Sequence, residues 1–138
     1  MNQSELILPL FSMVFLTLLV TLYLGVSNAL AVLSKEVHIK HLKLFNRDEI
    51  PKYLTTISQH YKNLFELPIL FYTWIGLLLI LNQWTQIDVY LAWIFVLSRY
   101  VHSFIRVPNN KVHLRFYIFL MGFTTILICW IRVGLNLI

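Results

Sequence analysis

The sequence predicts an all-α protein, an integral membrane bundle of four helices, and three observations lead to this class. The chain has 138 residues, of which 59% are hydrophobic and only 12% charged, whereas soluble domains carry about 25% charged residues. Its mean hydropathy is +0.73. Its apolar residues fall into four long runs, and a spanning helix needs about 20 mostly apolar residues because only helices and closed barrels satisfy their backbone in lipid.

Each apolar run is expected to form one transmembrane helix of a single domain that covers residues 1–138. The first run begins around Leu6, and Pro9 suits the first turn of a helix. The second follows a basic connection, and the third follows a short connection that has neither Lys nor Arg. A Pro-Asn-Asn turn at Pro108 separates the third run from the fourth. The predicted spans are residues 6–33, 55–81, 89–107 and 114–135.

The net charge is +5, and many of the basic residues are concentrated in one connection. Five basic residues lie between the first two spans, namely Lys35, Lys40, Lys43, Arg47 and Lys52. Such an asymmetry is typical of cytoplasmic loops of membrane proteins, and it favours a multi-pass topology over nucleic-acid binding. We therefore expect the first and third connections to face the cytoplasm and both termini to lie on the other side. Arg132, near the C-terminus, is the dissenting residue.

Polar residues interrupt the second span on one predicted helical face. Gln59, Lys62, Asn63 and Glu66 have offsets of 0, 3, 4 and 7 residues, which places them on one side of a helix. Charges inside a membrane segment are costly, so they mark a functional site by default. The alternative is that Lys62 and Glu66, four residues apart, only neutralise each other.

The third and fourth spans carry further cations at a similar depth. Arg99, His102, Ser103 and Arg106 again share one face, and Arg115 opens the fourth span. We expect Arg99 to pair with Glu66. This pair is explained by a structural bridge between helices, and such a bridge is compatible with a ligand site. Arg106 and Arg115 are also explained as interfacial anchors. A cationic site of this kind suits an anionic ligand with carboxylates, and no metal-ligand spacing is present.

These motifs resemble the MAPEG family, membrane-associated proteins in eicosanoid and glutathione metabolism. The resemblance is carried by Asn63-x-x-Glu66-x-Pro68, by Arg99-x-x-His102-Ser103, and by Arg115 sixteen residues after Arg99. It covers nearly the whole chain and looks most like the bacterial branch, which implies a bacterial inner membrane. The resemblance also implies a homotrimer that binds glutathione between adjacent subunits near the cytoplasmic face.

The resemblance implies a role for each matching residue. Arg115 aligns with the arginine that stabilises the glutathione thiolate. The residues that would hold or orient glutathione are Lys62, Asn63, Glu66, Arg99 and His102. The sequence departs from the enzymes at Gln59, where they usually carry arginine, and at Arg106 and Phe119, where some carry tyrosine.

The function expected from the sequence is a glutathione-dependent transferase or peroxidase that acts on lipophilic electrophiles dissolved in the bilayer. A free thiol has a pKa of about 8.5, and a nearby cation lowers it, so that the nucleophilic thiolate forms near neutral pH. The alternative is a non-catalytic membrane trimer that binds an anionic lipid or small molecule. The expected partners are a second and third copy of the chain, membrane lipids and the lipophilic substrate, and no nucleic acid.

Overall fold

The computed structural model describes residues 3–38, 50–106 and 112–137, and these residues form four helices. They are α1 (Ser4–Leu33), α2 (Lys52–Leu81), α3 (Gln86–Arg106) and α4 (Val112–Leu137). The all-α four-helix class is therefore confirmed, and every helix end lies within three residues of the predicted span. The cytoplasmic orientation was predicted chiefly from basic residues between 39 and 49 and at Lys111, which lie outside the described residues.

The helix ends follow from local backbone and capping preferences. At the end of α1, Lys35 adopts a left-handed φ of 58°, and at the end of α2, Asn82 adopts a φ of 54°. A left-handed residue stops a helix, and Asn tolerates this conformation better than most residues. At the start of α3, the Asp88 carboxylate accepts hydrogen bonds from the Thr85 backbone N–H at 2.8 Å and from its hydroxyl at 2.7 Å. The bond from the Thr85 N–H to the Asp88 carboxylate is one half of a capping box, with Asp in the place usually taken by Glu or Gln.

Three helices in the described part of the chain are long and apolar enough to cross a membrane. They are α1, α2 and residues 113–135 of α4. The chain is thus a multi-pass membrane protein. The helix α3 is less apolar than these three, and Asp88 and Arg99 lie among its apolar residues. These two side chains point inward and are buried, whereas Val101 and Phe104 are exposed at the outer face of the same helix.

The bundle is held by apolar packing and by a few hydrogen bonds between helices. The α3 and α4 helices pack most extensively, and α1 lies against α2 and α3. The rings of Phe71 in α2 and Phe95 in α3 stack with centroids 4.6 Å apart in the centre of the core. The Tyr100 hydroxyl of α3 donates to the Ser12 carbonyl of α1 at 2.9 Å, so the relative position of these helices is set by a directional contact as well as by burial.

Candidate functional site

A polar pocket lies where α2, α3 and α4 meet. It is lined by Asn63 of α2, His102 of α3, and Arg115, Phe116 and Phe119 of α4, and its volume is about 220 Å³. Three of the residues predicted for the site, Asn63, His102 and Arg115, therefore come together from three different helices. A pocket with a few convergent polar groups on an aromatic wall is the usual form of a small-molecule site.

The face of α2 that packs inside the protein is not the face predicted for the site. Its residues are offset from the predicted ones by about one position in the sequence. The buried residues of this helix include Ile57, His60, Leu64, Leu67 and Phe71, which recur at helical spacing. Asn63 lies at the edge of this face and is half-buried. The other three members of the predicted polar face are exposed, namely Gln59, Lys62 and Glu66.

His60 is a neighbour of the pocket that the sequence interpretation missed. Its side chain is buried, and its ring lies 6.2 Å from the ring of His102, centroid to centroid, with an interplanar angle of 35°. The signal was present in the sequence, because His60 precedes the apolar residues Leu64, Leu67 and Phe71 by 4, 7 and 11 residues. A polar residue that continues an apolar helical stripe is expected to face the same neighbours.

Arg99 lies deeper in the protein than the pocket, in the seam between α3 and α4. Its exposed fraction is 2%. Its Nε donates to the Ser98 hydroxyl and its Nη2 to the Phe119 carbonyl, both at 3.4 Å. The guanidinium also lies over two aromatic rings, 5.3 Å from the Phe95 centroid and 5.7 Å from the Phe119 centroid, which is the distance range of cation–π contacts.

The expected pairing of Glu66 with Arg99 is wrong within the protomer. Glu66 is exposed, while Arg99 is enclosed by α3 and α4, and no ion pair joins them in the described part of the chain. The difference arises because Glu66 lies on the outer side of α2, so that its carboxylate points away from the α3–α4 seam.

Arg115 reaches the pocket because it begins the inward stripe of α4. The buried residues Gly122, Ile126, Cys129 and Val133 follow it at 7, 11, 14 and 18 residues, a helical repeat along one face. Arg115 is half-buried and belongs to the first turn of α4. The helix N-terminus is itself a positive pole, so the guanidinium and the helix end both favour an anion at this position.

An ion pair at the opposite end of α3 explains the dissenting Arg132. Its Nε donates to the Asp88 carboxylate at 3.1 Å, and its Nη2 donates to the Thr85 hydroxyl at the same distance. The pair joins the start of α3 to the end of α4. Arg132 is thus part of a contact within the protein. Its position near the C-terminus is explained by this contact and does not argue against the topology predicted from the basic loops.

An apolar groove lies further along α4, on the side of α2. Its volume is about 360 Å³, and its walls are Leu70, Phe123, Ile126, Leu127 and Trp130. Phe123 follows the pocket residue Phe119 by one helical turn, so the groove continues from the polar pocket on the same side of the helix. The Trp130 indole closes one part of it by donating to the Leu70 carbonyl at 3.3 Å.

Comparison with known proteins identifies one family. The family model described as "MAPEG family" matches residues 6–135, nearly the whole chain and all four helices. No curated protein and no solved structure shows a significant match.

Proposed function

Because the chain belongs to the MAPEG family, a family of membrane glutathione-related transferases and peroxidases, we propose that it is a glutathione-dependent enzyme acting on lipophilic electrophiles. The observation that carries this proposal is the convergence of Asn63, His102 and Arg115 in one pocket. An amide, an imidazole and a guanidinium match the carboxylates, peptide groups and thiolate of glutathione.

Arg115 is proposed to be the catalytic residue. Its guanidinium stabilises the thiolate of bound glutathione, together with the positive end of α4. Asn63 and His102 hold the peptide by hydrogen bonds, and Glu66 binds its α-amino group. Lys62 attracts a carboxylate. Arg99, which is buried behind Phe119, contributes positive potential to the pocket wall and shapes that wall through Phe119.

The proposed reactions need no reactants other than glutathione and the electrophile. The glutathione thiol loses its proton to water, the thiolate forms a sulfur–carbon bond with the electrophile, and a leaving group departs with the bonding electrons or a strained ring oxygen takes up a proton. With a hydroperoxide, the thiolate attacks the terminal oxygen, the O–O bond breaks, and the alkoxide is protonated to an alcohol. A second glutathione then displaces hydroxide from the sulfenic acid to give a disulfide and water. The apolar groove beside the pocket provides a place for a lipophilic reactant.

The proposed site includes an adjacent subunit. MAPEG proteins are commonly trimeric, and ligand pockets usually have volumes of about 300–1,000 Å³, whereas the pocket of one protomer has about 220 Å³. Lys62 and Glu66 are exposed on the protomer, and a charge that faces lipid within a transmembrane segment is costly. A homotrimer in which these residues face the next subunit removes this cost and enlarges the site.

We place the site at the cytoplasmic side of a bacterial inner membrane, with both termini on the other side. The basic connection between α1 and α2 supports this orientation. The polar residues of α2 lie in the half of the helix that follows this connection, and Arg115 lies in the first turn of α4. Glutathione would then enter from the cytoplasm, and the electrophile from the bilayer.

The decisive experiment measures glutathione binding and turnover for the purified protein in detergent. We expect calorimetric titration with reduced glutathione to give saturable binding, and activity with chlorodinitrobenzene or cumene hydroperoxide as the electrophile. Absence of both overturns the proposal. Binding of anionic lipid without any turnover favours the non-catalytic alternative, which is supported by Phe119, a pocket residue that offers no hydroxyl to the thiolate.

A further inference from the structure

Arg99 fits into the α3–α4 seam because α4 has a glycine at the point of contact. The Arg99 guanidinium reaches the backbone of α4 between Phe119, whose carbonyl it binds, and Gly122, which is buried. A Cβ atom added at Gly122 would collide with Nη2 of Arg99 and would lie 2.8 Å from both Arg99 Cζ and Ser98 Oγ. Distances below about 3 Å between such atoms are repulsive, since carbon contacts are optimal near 3.5–4.0 Å.

This crowding is specific to one of the four glycines. A Cβ atom at Gly25, Gly76 or Gly134 would meet no atom within 4 Å. Alanine is a better helix former than glycine by about 0.8–1.0 kcal/mol in a helix interior, and Gly122 and Gly134 lie in the same helix. Glycine at position 122 therefore lowers the helix propensity of α4. The Arg99 guanidinium packs into the space that the missing side chain leaves.

We propose that Gly122 is a positioning residue of the glutathione site: its missing side chain forms a notch that holds the Arg99 guanidinium against Phe119. This inference rests on the proposed function and adds a residue to it. Phe119 connects the notch to the pocket, because its carbonyl and ring contact Arg99 while its side chain lines the pocket with His102 and Arg115. A guanidinium forced out of the notch would displace Phe119 and alter both the shape and the positive potential of the pocket.

The first test compares Gly122→Ala with its matched control Gly134→Ala. We expect Gly122→Ala to weaken glutathione binding by about five- to tenfold, which lies within the range of coupling between contacting residues. Turnover at saturating glutathione should fall less than binding, because Arg115 is unchanged. Gly134→Ala should leave both quantities at their wild-type values. Equal glutathione affinity of the two variants would overturn the proposal.

A second measurement needs no glutathione and separates this inference from the proposed function. In detergent, Gly122→Ala should lower the unfolding temperature of the protein that has Arg99, and should lower it by less in the Arg99→Met background, where the guanidinium is absent and the Ser98 hydroxyl still crowds the added carbon. If wild-type protein binds no glutathione but this coupling is found, the notch is present and the proposed function fails. If Gly122→Ala has the same effect in both backgrounds, Gly122 does not position Arg99.

Discussion

Arg115 lies in the first turn of α4, beside Asn63 and His102, and its charge is the feature on which the proposed chemistry depends. We expect Arg115→Leu to raise the pKa of the bound thiol by about one to two pH units, and each pH unit corresponds to about 1.4 kcal/mol. The thiolate absorbance of the glutathione complex near neutral pH should fall together with turnover. Arg115→Lys keeps a cation and should retain most of the absorbance. Unchanged turnover in Arg115→Leu would make Arg115 an interfacial anchor only.

Lys62 should show the opposite kinetic pattern. It is exposed on α2, outside the pocket of its own protomer, and its proposed role is to attract a carboxylate of glutathione. Lys62→Leu is therefore expected to raise the apparent KM several-fold, with kcat nearly unchanged, since removal of uniform binding affects KM alone. Steady-state kinetics as a function of glutathione concentration measure both constants. A fall in kcat at constant KM would contradict a binding role and assign Lys62 to the chemical step.

The residue scale also shows where sequence spacing misleads. Spacing correctly predicted that Arg99, His102 and Ser103 share one face of α3, because all three are buried. It also predicted a shared face for four residues of α2, and all four do lie in this one helix, namely Gln59, Lys62, Asn63 and Glu66. Spacing does not say which neighbour that face meets. Asn63 lies at the pocket, whereas Glu66 points to the outside of the protomer and does not pair with Arg99.

Among the helices, α3 and α4 are joined by two polar contacts, one near the pocket and one at the start of α3. Arg99 contacts α4 near the pocket, and Asp88 contacts Arg132 at the other end. The two contacts hold α3 at a constant position along α4. This arrangement suits a site whose walls are His102 on one helix and Arg115 on the other, because small shifts of one helix along the other would separate them.

The Asp88–Arg132 contact makes a stability prediction. The side chain of Asp88 is 4% exposed and that of Arg132 28%, so the loss of either partner should cost about 1–3 kcal/mol, between the values for exposed and buried pairs. Asp88→Asn and Arg132→Gln should each lower the thermal unfolding temperature in detergent, and the double variant should be less than additive. Thr124→Ala is the control, since its hydroxyl donates to the Met121 carbonyl within α4. Strict additivity would show that the ion pair does not contribute.

At the scale of the whole molecule, the orientation in the membrane is open to a direct test. Lys52 and Gln83 are exposed and lie at opposite ends of α2. In a Cys129→Ala background, Gln83→Cys should react with a membrane-impermeant maleimide on intact cells. Lys52→Cys should react only after the membrane is permeabilised, because basic connections remain in the cytoplasm. The reverse pattern would invert the topology, and labelling of both positions from one side would contradict a spanning α2.

The proposed trimer predicts the stoichiometry of binding. Native mass spectrometry of the protein released from detergent micelles should show an assembly of three chains, and glutathione adducts should occur on this assembly and not on the monomer. The reason is that one protomer has a pocket of about 220 Å³ and leaves Lys62 and Glu66 outside it. Adducts of similar abundance on the monomer would contradict a site shared between subunits.

The sequence by itself determined the membrane class, the four helices and the family. These properties depend on the length and period of apolar runs and on short-range motifs, which act within one helix or one turn. It also predicted the residues Asn63, His102 and Arg115 that meet in the pocket.

Only the tertiary structure decided how those helices face one another. It placed the Glu66 side chain on the exposed surface of α2, His60 beside His102, and the Arg99 guanidinium in the notch at Gly122. It also paired Arg132 with Asp88, 44 residues away. The physical reason is that the period of a helix gives the angle between its own residues, whereas the rotation of each helix about its axis is set by packing against residues far away in the chain.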